Sequence, residues 1–311
     1  MGAQEVFDVV MGVFATVVLF LYGLQSFSRE IQELGQDRLQ EWLGRLTHSR
    51  LSGFALGALF TAVVQSASAV TALTAALVDA GTIRFANSLA VLIGANVGTT
   101  ATAWLVSFEL TGIGPVFVVL GALLTVLPGP LRVAGKSVFY FGFIFFALDL
   151  ISHSLGPVKE SPWVLDFLAH TSSPLFGAAS GALLTAVVQS SSVVTGLAIL
   201  LVQQGSLDVP GAVAIVIGAN LGTTVTGLIA SIPMQQAGKR TALANLVLNL
   251  IGVAMFVPFS RQLADFVSGL TEDPGMAVAT AHLFFNLAVA LVALPCVRPL
   301  ARWLQPSAAA R

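Results

Sequence analysis

Two short polar motifs lie within apolar stretches of the sequence, and each occurs twice. The sequence QSAS starts at Gln65 and returns as QSSS from Gln189, while GANVGTT starts at Gly94 and returns as GANLGTT from Gly218. Glycine lets the backbone leave helical angles, and small hydroxyl and amide side chains cap a helix that resumes after a break. We therefore predict that each of the four motifs interrupts a helix.

A helix that resumes after such a break could bind an anion. A half-helix starting at Ser66 or Ser190 would direct free amide hydrogens and the positive end of its dipole toward the break. A site of this kind needs no arginine or lysine. The motifs therefore favour the binding of a small anion by backbone amides.

The side-chain oxygens of the motifs could bind a cation beside that anion. They are neutral, hard donors, which suit Na⁺ better than a transition metal. Because a dianion is poorly held without positive side chains, co-bound Na⁺ ions are the natural compensation. The candidate sodium ligands are Gln65, Gln189, Asn96, Asn220, Thr99, Thr100, Thr223 and Thr224.

The rest of the chain has the composition of a membrane protein. Of its 311 residues, 56% are hydrophobic and 9% are charged, whereas soluble domains carry about 25% charged residues. Apolar runs of about 20 residues, enough to cross roughly 30 Å of hydrocarbon, recur along the sequence. The sequence therefore predicts an all-α polytopic protein in a lipid bilayer.

An internal repeat organises the chain. Shifting the sequence by 124 residues aligns 53–103 with 177–227 without a gap, and 27 of the 51 aligned positions are identical. Further upstream, Ser28 falls opposite Ser152. We predict a first unit at 9–131 and a second at 137–259, followed by an extra transmembrane helix at 276–297.

Both units are predicted to contain the same elements in the same order. The first has a span at 9–27, an amphipathic segment at 29–50, a hairpin at 53–80, an interrupted helix at 85–108 and a span at 112–131. The corresponding elements of the second lie at 137–151, 158–170, 174–204, 209–232 and 241–259.

The length of the first hairpin predicts that it is re-entrant. It holds 28 residues, from Gly53 to Ala80, whereas two crossings need about 40. Its tip must be covered by protein, since an unpaired amide in hydrocarbon costs several kcal/mol. Each unit then crosses three times, so the units have inverted topology and share a site near the midplane.

Basic residues predict the orientation. With the amino terminus outside and the carboxyl terminus in the cytoplasm, only Lys159 and Arg261 of the 14 basic residues lie outside. The first apolar stretch follows Glu5 and Asp8 rather than a basic segment, so it is read as a retained span and not as a signal peptide.

Several other classes of site find no support in the sequence. The net charge is −1 and no basic cluster is interleaved with aromatics, which argues against nucleic-acid binding. Cys296 is the single cysteine, so no internal disulfide is expected. No Cys/His group has metal-ligand spacing, and we expect no cofactor apart from sodium as a coupling ion.

The paired motifs resemble those of the type II sodium-dependent phosphate cotransporters, including their bacterial members. The resemblance covers about 11–295 and includes TALANLVLNLIG from Thr241 and TAHLFFN from Thr280. It implies symport of inorganic phosphate with sodium by alternating access in a bacterial plasma membrane, and it leaves a homodimer open. By the same resemblance, phosphate would bind at Ser66, Ser68, Ser190, Ser191 and Ser192, with Na⁺ at the ligands named above.

The chain departs from the family pattern in two respects. Ala67 stands where the second copy has Ser191, so one hydroxyl is missing, which bears on the number of ions or the preferred anion. Many bacterial relatives also carry a soluble PhoU-like domain after the membrane part, and this sequence ends at Arg311 without one.

Alternative functions stay open at this point. Another oxyanion or a small carboxylate could replace phosphate, export could replace import, and a passive anion channel is a further possibility. A serine hydrolase would need a base near a serine, and the only intramembrane histidine, His282, lies outside both units.

Other polar residues are read as structural. Asp149 is expected at the end of its span, and the 29–50 segment along the cytoplasmic interface rather than at a ligand. Asn245 with Asn249, and His282 with Asn286, are spaced i, i+4 and are expected to form hydrogen bonds between helices.

Overall fold

The computed structural model of the chain describes residues 3–47, 49–108, 112–156 and 161–304, with side chains omitted at 3–10, 34–46, 130 and 163. Lys159 and Arg311 lie outside the described residues, and so do the side chains of Arg38 and Arg45. The described residues form helices and turns without a strand. The first seven helices are α1 (Ala3–Leu46), α2 (Arg50–Val64), α3 (Ala67–Asp79), α4 (Phe85–Gly98), α5 (Thr100–Ser107), α6 (Gly114–Val126) and α7 (Pro130–Ser154). The others are α8 (Pro162–Thr171), α9 (Pro174–Val188), α10 (Ser191–Gln203), α11 (Val209–Ser231), α12 (Gln236–Phe256), α13 (Ser260–Ser268) and α14 (Pro274–Leu304).

Six segments of the described chain are long and apolar enough to cross a bilayer. They are Met11–Glu33, Phe85–Ser107, Leu131–Ser154, Val209–Ser231, Gln236–Ser268 and Pro274–Leu304. Large apolar side chains on the outer helices remain exposed, among them Val126 at 83%, Leu175 at 75% and Leu291 at 75%. Lipid is the solvent that tolerates such a surface, so the protein is a multi-pass membrane protein.

Polar contacts between distant segments define one end of the molecule, which we call the basic end. Lys136 Nζ of α7 lies 3.2 Å from Glu30 Oε1 of α1, and Asn87 Nδ2 of α4 donates to the Thr47 carbonyl over 2.6 Å. Arg50 of α2 donates to the Leu294 and Pro295 carbonyls of α14. The Asp79 carboxylate at the end of α3 accepts from the Gln235 and Gly238 amides at the start of α12.

A second set of contacts defines the opposite end. Gln204 Nε2 donates to Ser152 Oγ, and Gln203 Nε2 donates to the Ser107 carbonyl over 3.3 Å. Ser172 Oγ donates to Asp208 Oδ2 over 2.7 Å, and Arg261 Nε donates to the Ser172 carbonyl over 3.0 Å. Basic side chains in the described residues, Arg261 excepted, belong to the segments of the basic end.

The two short helix pairs take part in different sets of these contacts. The first pair, α2 and α3, starts beside Thr47 and finishes at Asp79, both at the basic end. The second pair, α9 and α10, starts beside Ser172 and finishes at Gln203, both at the opposite end.

The second GAN motif does not break its helix, so the predicted interruption of 209–232 is wrong. Helix α11 runs without a break from Val209 to Ser231. In the first copy the helix pauses only at Thr99, whose φ of −61° and ψ of −25° stay helical. The glycines of both motifs serve another purpose, which is the close approach of neighbouring helices.

Close packing explains the glycines of both copies. A Cβ on Gly94 would lie 2.0 Å from the Phe54 carbonyl oxygen of α2, and a Cβ on Gly218 would lie 1.9 Å from the Ala178 carbonyl oxygen of α9. Across these contacts, a Cβ on Gly57 would meet the Val91 oxygen at 2.1 Å. Membrane helices lack a hydrophobic force between them, so such backbone contact is a main source of packing energy. The long helix of each unit thereby holds the first arm of its helix pair.

Other elements also differ from the prediction. The first span and the amphipathic segment form one helix, α1, of 44 residues. The span predicted at 112–131 corresponds to the short helix α6, of 13 residues. Gly114 and Gly121 let α6 pack directly on the backbone of α7.

We predict that Gly218→Ala destabilises the protein, because the new Cβ would overlap the Ala178 carbonyl of α9. Overpacking of this kind costs about 1–3 kcal/mol. Thermal unfolding of the purified protein in detergent should show a lower midpoint than the parent chain.

Gly12→Ala is the matched control, since a Cβ there meets nothing within 4 Å in α1. Its midpoint should match or exceed that of the parent. Equal midpoints for the Gly218→Ala variant and the control would contradict the packing role.

Candidate functional site

The turns between the paired helices are built on two glutamines with left-handed backbone. Gln65 ends α2 at a φ of 58°, and Gln189 ends α9 at a φ of 59°; among the described residues they alone combine a side chain with a positive φ. Side chains rarely adopt this conformation, and such strain is concentrated at functional sites. The strained glutamines occupy equivalent positions of the repeat.

A serine follows each glutamine at the N-cap position of the helix that resumes, and the Ser66 side chain alone makes a capping hydrogen bond. Ser66 has extended backbone, and its Oγ accepts from the Ala69 amide over 3.2 Å at the start of α3. Ser190 has the same extended backbone at the start of α10. The first amides of each resumed helix have no acceptor within the helix, so they point toward the turn. This confirms the predicted breaks at the QSAS and QSSS motifs.

Both turns line one cavity of about 340 Å³. The cavity has room for a small oxyanion with water and ions, since a water molecule occupies about 30 Å³. The lining residues from the two motifs are Gln65, Ser66, Ala67, Ser68, Gln189, Ser190, Ser191 and Ser192, joined by Thr223 and Thr226 of α11. The structure therefore brings together the five predicted substrate serines, both predicted glutamines and Thr223.

One wall of the cavity was not anticipated. It is formed by residues 24–32 of α1, where Leu24, Gln25, Ser28, Arg29 and Gln32 face the cavity. Arg29, which was expected in an amphipathic segment along the membrane interface, lies in the candidate span Met11–Glu33 and lines the cavity. The repeat contained a signal, since Ser28 aligns with Ser152, but only packing decides which of the two lines the cavity.

The two copies of the site differ in their hydrogen bonds. Thr102 Oγ1 donates to the buried Gln65 Oε1 over 2.6 Å, and Ser192 Oγ lies 3.5 Å from Thr102 Oγ1. The equivalent residues are Gln189, which is exposed, and Thr226, whose buried Oγ1 has no hydrogen-bond partner. The first copy of the glutamine–threonine contact is therefore formed and the second is open. Thr102 and Thr226 were missed, although both end the repeated GTTxT sequence.

Most of the predicted sodium ligands from the GAN motifs do not line the cavity. The Thr99, Thr100 and Thr224 hydroxyls donate to carbonyls three residues earlier in their own helices. Asn96 and Asn220 donate to other helices instead. Thr223 is the exception, because it lines the cavity while donating to the Ala219 carbonyl.

Asn96 and Asn220 anchor equivalent hydrogen-bonded groups. Asn96 Nδ2 donates to Asn249 Oδ1 of α12 over 3.1 Å, and Asn249 donates in turn to Asn245. In α14, Asn286 occupies the position that Asn249 has in α12. The predicted bonds between helices are present for Asn249, Asn286 and His282, whereas Asn245 bonds within α12.

The second group includes a histidine. Asn220 Nδ2 donates to Asn286 Oδ1 over 2.8 Å, and Asn286 donates to the His282 carbonyl. His282 Nε2 lies 3.4 Å from Asn220 Oδ1. Among the described residues, the hydrogen-bond partner of this imidazole is the Asn220 amide and not a serine hydroxyl.

A cavity lined by serine, threonine and glutamine side chains, by Arg29 and by the starts of two helices, among helices long enough to cross a bilayer, is typical of a membrane transporter of small solutes. The model of the Na⁺/Pi-cotransporter family matches residues 19–153 and 165–285. The chain belongs to this family, which is a family of transporters and not of enzymes. The resemblance noted in the motifs is thereby confirmed.

Individual relatives come from bacteria and animals. The chain is 32% identical over 284 residues to “Uncharacterized protein YqeW” of Bacillus subtilis (strain 168), covering 90% of this chain and 92% of the relative. It is 29% identical over 292 residues to “Putative inorganic phosphate export protein YjbB” of Escherichia coli (strain K12), covering 93% of this chain and 54% of the relative. It is 30% identical over 166 residues to “Sodium-dependent phosphate transport protein 2B” of Homo sapiens, covering 52% of this chain and 20% of the relative.

The chain therefore spans about half the length of YjbB and nearly the full length of YqeW. No solved structure shows a significant match to the chain.

We predict that Asn220 and Asn286 stabilise each other. Asn286→Leu would leave the buried Asn220 amide without its partner, at a cost of about 1–3 kcal/mol. Thermal unfolding of both single variants and of the Asn220→Leu/Asn286→Leu double variant forms a cycle, with a coupling of about 0.5–2 kcal/mol expected. Additive losses would contradict the pairing.

Proposed function

We propose that the protein transports inorganic phosphate together with Na⁺ by alternating access. The observation that carries this proposal is the meeting of both Gln–Ser turns in one cavity. Membership of the Na⁺/Pi-cotransporter family supports the choice of phosphate and sodium.

The geometry suits an oxyanion at the serines. Two helix starts, those of α3 and α10, present unpaired amides and the positive ends of their dipoles to the cavity. The serine hydroxyls at the turns can donate to phosphate oxygens; they belong to Ser66, Ser68, Ser190, Ser191 and Ser192. The QSAS and QSSS motifs thus supply hydrogen-bond donors without a lysine at the turns.

Sodium would bind beside the anion at the neutral oxygens. Gln65, Gln189 and Thr223 line the cavity and are the strongest candidates. Asn96, Asn220, Thr99, Thr100 and Thr224 could ligate an ion only after exchanging their present hydrogen bonds. Each tenfold sodium gradient supplies about 1.4 kcal/mol, and each net charge crossing 100 mV adds about 2.3 kcal/mol, so two or three ions suffice for accumulation.

We propose further that both helix pairs are re-entrant and inverted relative to each other. Helices α2 and α3 hold 15 and 13 residues, or about 22 and 20 Å, which is short of the roughly 30 Å core. The first pair starts and finishes at the basic end and the second pair at the opposite end. These contacts support two hairpins that enter from opposite faces.

The asymmetry of the site supports an inward-open state. The cavity extends along α1 from Leu24 to Gln32, beside the Glu30–Lys136 ion pair of the basic end. At the opposite end, Gln204 closes on Ser152 of α7, the counterpart of Ser28. By the positive-inside rule we propose that the basic end faces the cytoplasm and that the amino terminus lies outside, and the bacterial relatives support a bacterial plasma membrane.

The direction of net transport has two candidates. The name of YjbB describes phosphate export, whereas the name of the human relative describes sodium-dependent transport. A sodium-coupled carrier moves phosphate along whichever combined gradient is larger, so the direction of the imposed gradient is part of the test.

We predict that purified protein in proteoliposomes accumulates radiolabelled phosphate only when a sodium gradient is imposed. Ser190→Ala should lower phosphate uptake about tenfold or more, since it removes a donor at the α10 start. Gln189→Ala should shift the sodium activation curve to higher concentration.

Ser173→Ala is the matched control, because Ser173 precedes α9 and does not line the cavity. Uptake that persists without sodium would favour a channel. Equal uptake by the Ser190→Ala, Gln189→Ala and Ser173→Ala variants would contradict the assignment of the site.

Cysteine labelling should reveal the open side. In a Cys296→Ser background, Gln25→Cys is expected to react with a membrane-impermeant thiol reagent applied at the basic end, because Gln25 is exposed and lines the open cavity. Reagent applied at the opposite end should react at least several-fold more slowly. Faster labelling from that opposite end would contradict the inward-open assignment.

A further inference from the structure

The cavity contains a single formal charge among its described lining residues, and this charge belongs to Arg29. All the other lining residues are uncharged, including the serines and glutamines at the two turns. Arg29 lies on α1 one residue from Glu30, which marks the basic end. The charge therefore stands at the cytoplasmic mouth of the cavity and not at the turns.

The surroundings of Arg29 leave its charge free. Glu30, its neighbour in sequence, is committed to Lys136 at 3.2 Å. Within the described side chains, the Arg29 guanidinium has neither an ion pair nor a hydrogen bond, and the residue is exposed. Glu33 lies one turn further along α1 without forming an ion pair with it. An exposed arginine that has no ion-pair partner among the described side chains is available to a mobile anion.

The chemistry of the guanidinium matches a tetrahedral oxyanion. Its fork of N–H donors binds two oxygens of a phosphate at once, which a lysine cannot reproduce with the same geometry. Single charges in a cleft with low-dielectric walls raise the local concentration of oppositely charged ligands. The helix starts at Ser66 and Ser190 can then take over the anion deeper in the cavity.

We propose that Arg29 is an anion-capture residue. It binds a free tetrahedral oxyanion at the cytoplasmic mouth of the cavity, either before the anion moves to the Gln–Ser turns or after it leaves them. This rests on the proposed function, and it adds a specificity-determining residue that the repeat itself does not contain, since Arg29 aligns with His153. The same chemistry could instead hold a lipid phosphate headgroup, so the experiment separates the two sources.

The test measures the apparent KM and the maximal rate for inorganic phosphate presented at the basic end of the full chain in proteoliposomes. Arg29→Gln should raise KM about three- to tenfold and leave the maximal rate within twofold of the parent value. A charge at the mouth of the cavity affects the rate at which phosphate is captured more than it affects binding at the turns. The KM of the Arg29→Lys variant should lie between those of the parent and of the Arg29→Gln variant. Arg84→Gln is the matched control, since Arg84 is exposed at the same end and does not line the cavity.

Ionic strength distinguishes a charge effect from a structural one. Raising choline chloride from about 0.01 to 0.15 M shortens the screening length from roughly 30 to 8 Å and should raise the parent KM. The KM of the Arg29→Gln variant should change less. An equal salt response in both proteins would overturn the proposal.

Lipid composition separates the two phosphate sources. The Arg29→Gln effect should be the same in phosphatidylcholine vesicles and in vesicles with added anionic lipid if free phosphate is the ligand. An effect confined to one lipid mixture would assign Arg29 to a headgroup and overturn the proposal. If the parent protein shows no sodium-dependent phosphate transport, the proposed function itself fails, whereas normal parent transport with an unchanged variant KM rejects only the role of Arg29.

Discussion

The structure depends on the cost of leaving backbone amides unpaired inside a membrane. Each helix pair must end one helix and start another away from the molecular ends, at Gln65–Ser66 and Gln189–Ser190. Such amides are tolerated only where protein or a wet cavity covers them. Both turns line one cavity, where water can pair with their free amides. The same arrangement concentrates the positive potential of two helix starts at a place where an anion can bind. The strained left-handed glutamines are compatible with the fold because the helices around them are fixed.

Glycine contacts provide that rigidity. The long helix of each unit lies against the first arm of its helix pair with backbone touching backbone at Gly57 and Gly94, and again at Gly181 and Gly218. The buried asparagines next to these contacts bind the long helices to α12 and α14. Together these interactions form a scaffold that holds the first arm of each helix pair in place.

Local sequence rules predicted the turns. The role of the GAN glycines and the α1 wall of the cavity depend on long-range packing, which these rules do not describe. The Gln–Ser breaks followed from capping chemistry, and the serines were correctly placed on one cavity because the repeat implied a shared site. The GAN glycines were misread, since the same residue permits a break and permits close helix packing. Arg29 was assigned to the interface because nothing in its neighbourhood marks where α1 leaves the bilayer. Thr102 and Thr226 show that a repeated position outside the obvious motif also carries information.

Helix α14 lies outside the repeat but completes a contact of the second unit. It gives Asn220 the partner that α12 gives Asn96, and in both helices the partner asparagine follows another polar residue by one turn. By the repeat, α6 would be the counterpart of α12, yet it packs on α7 instead. A second copy of the repeated unit therefore does not supply a partner for Asn220 by itself, and the buried amide of the second half is completed by a helix from outside the repeat.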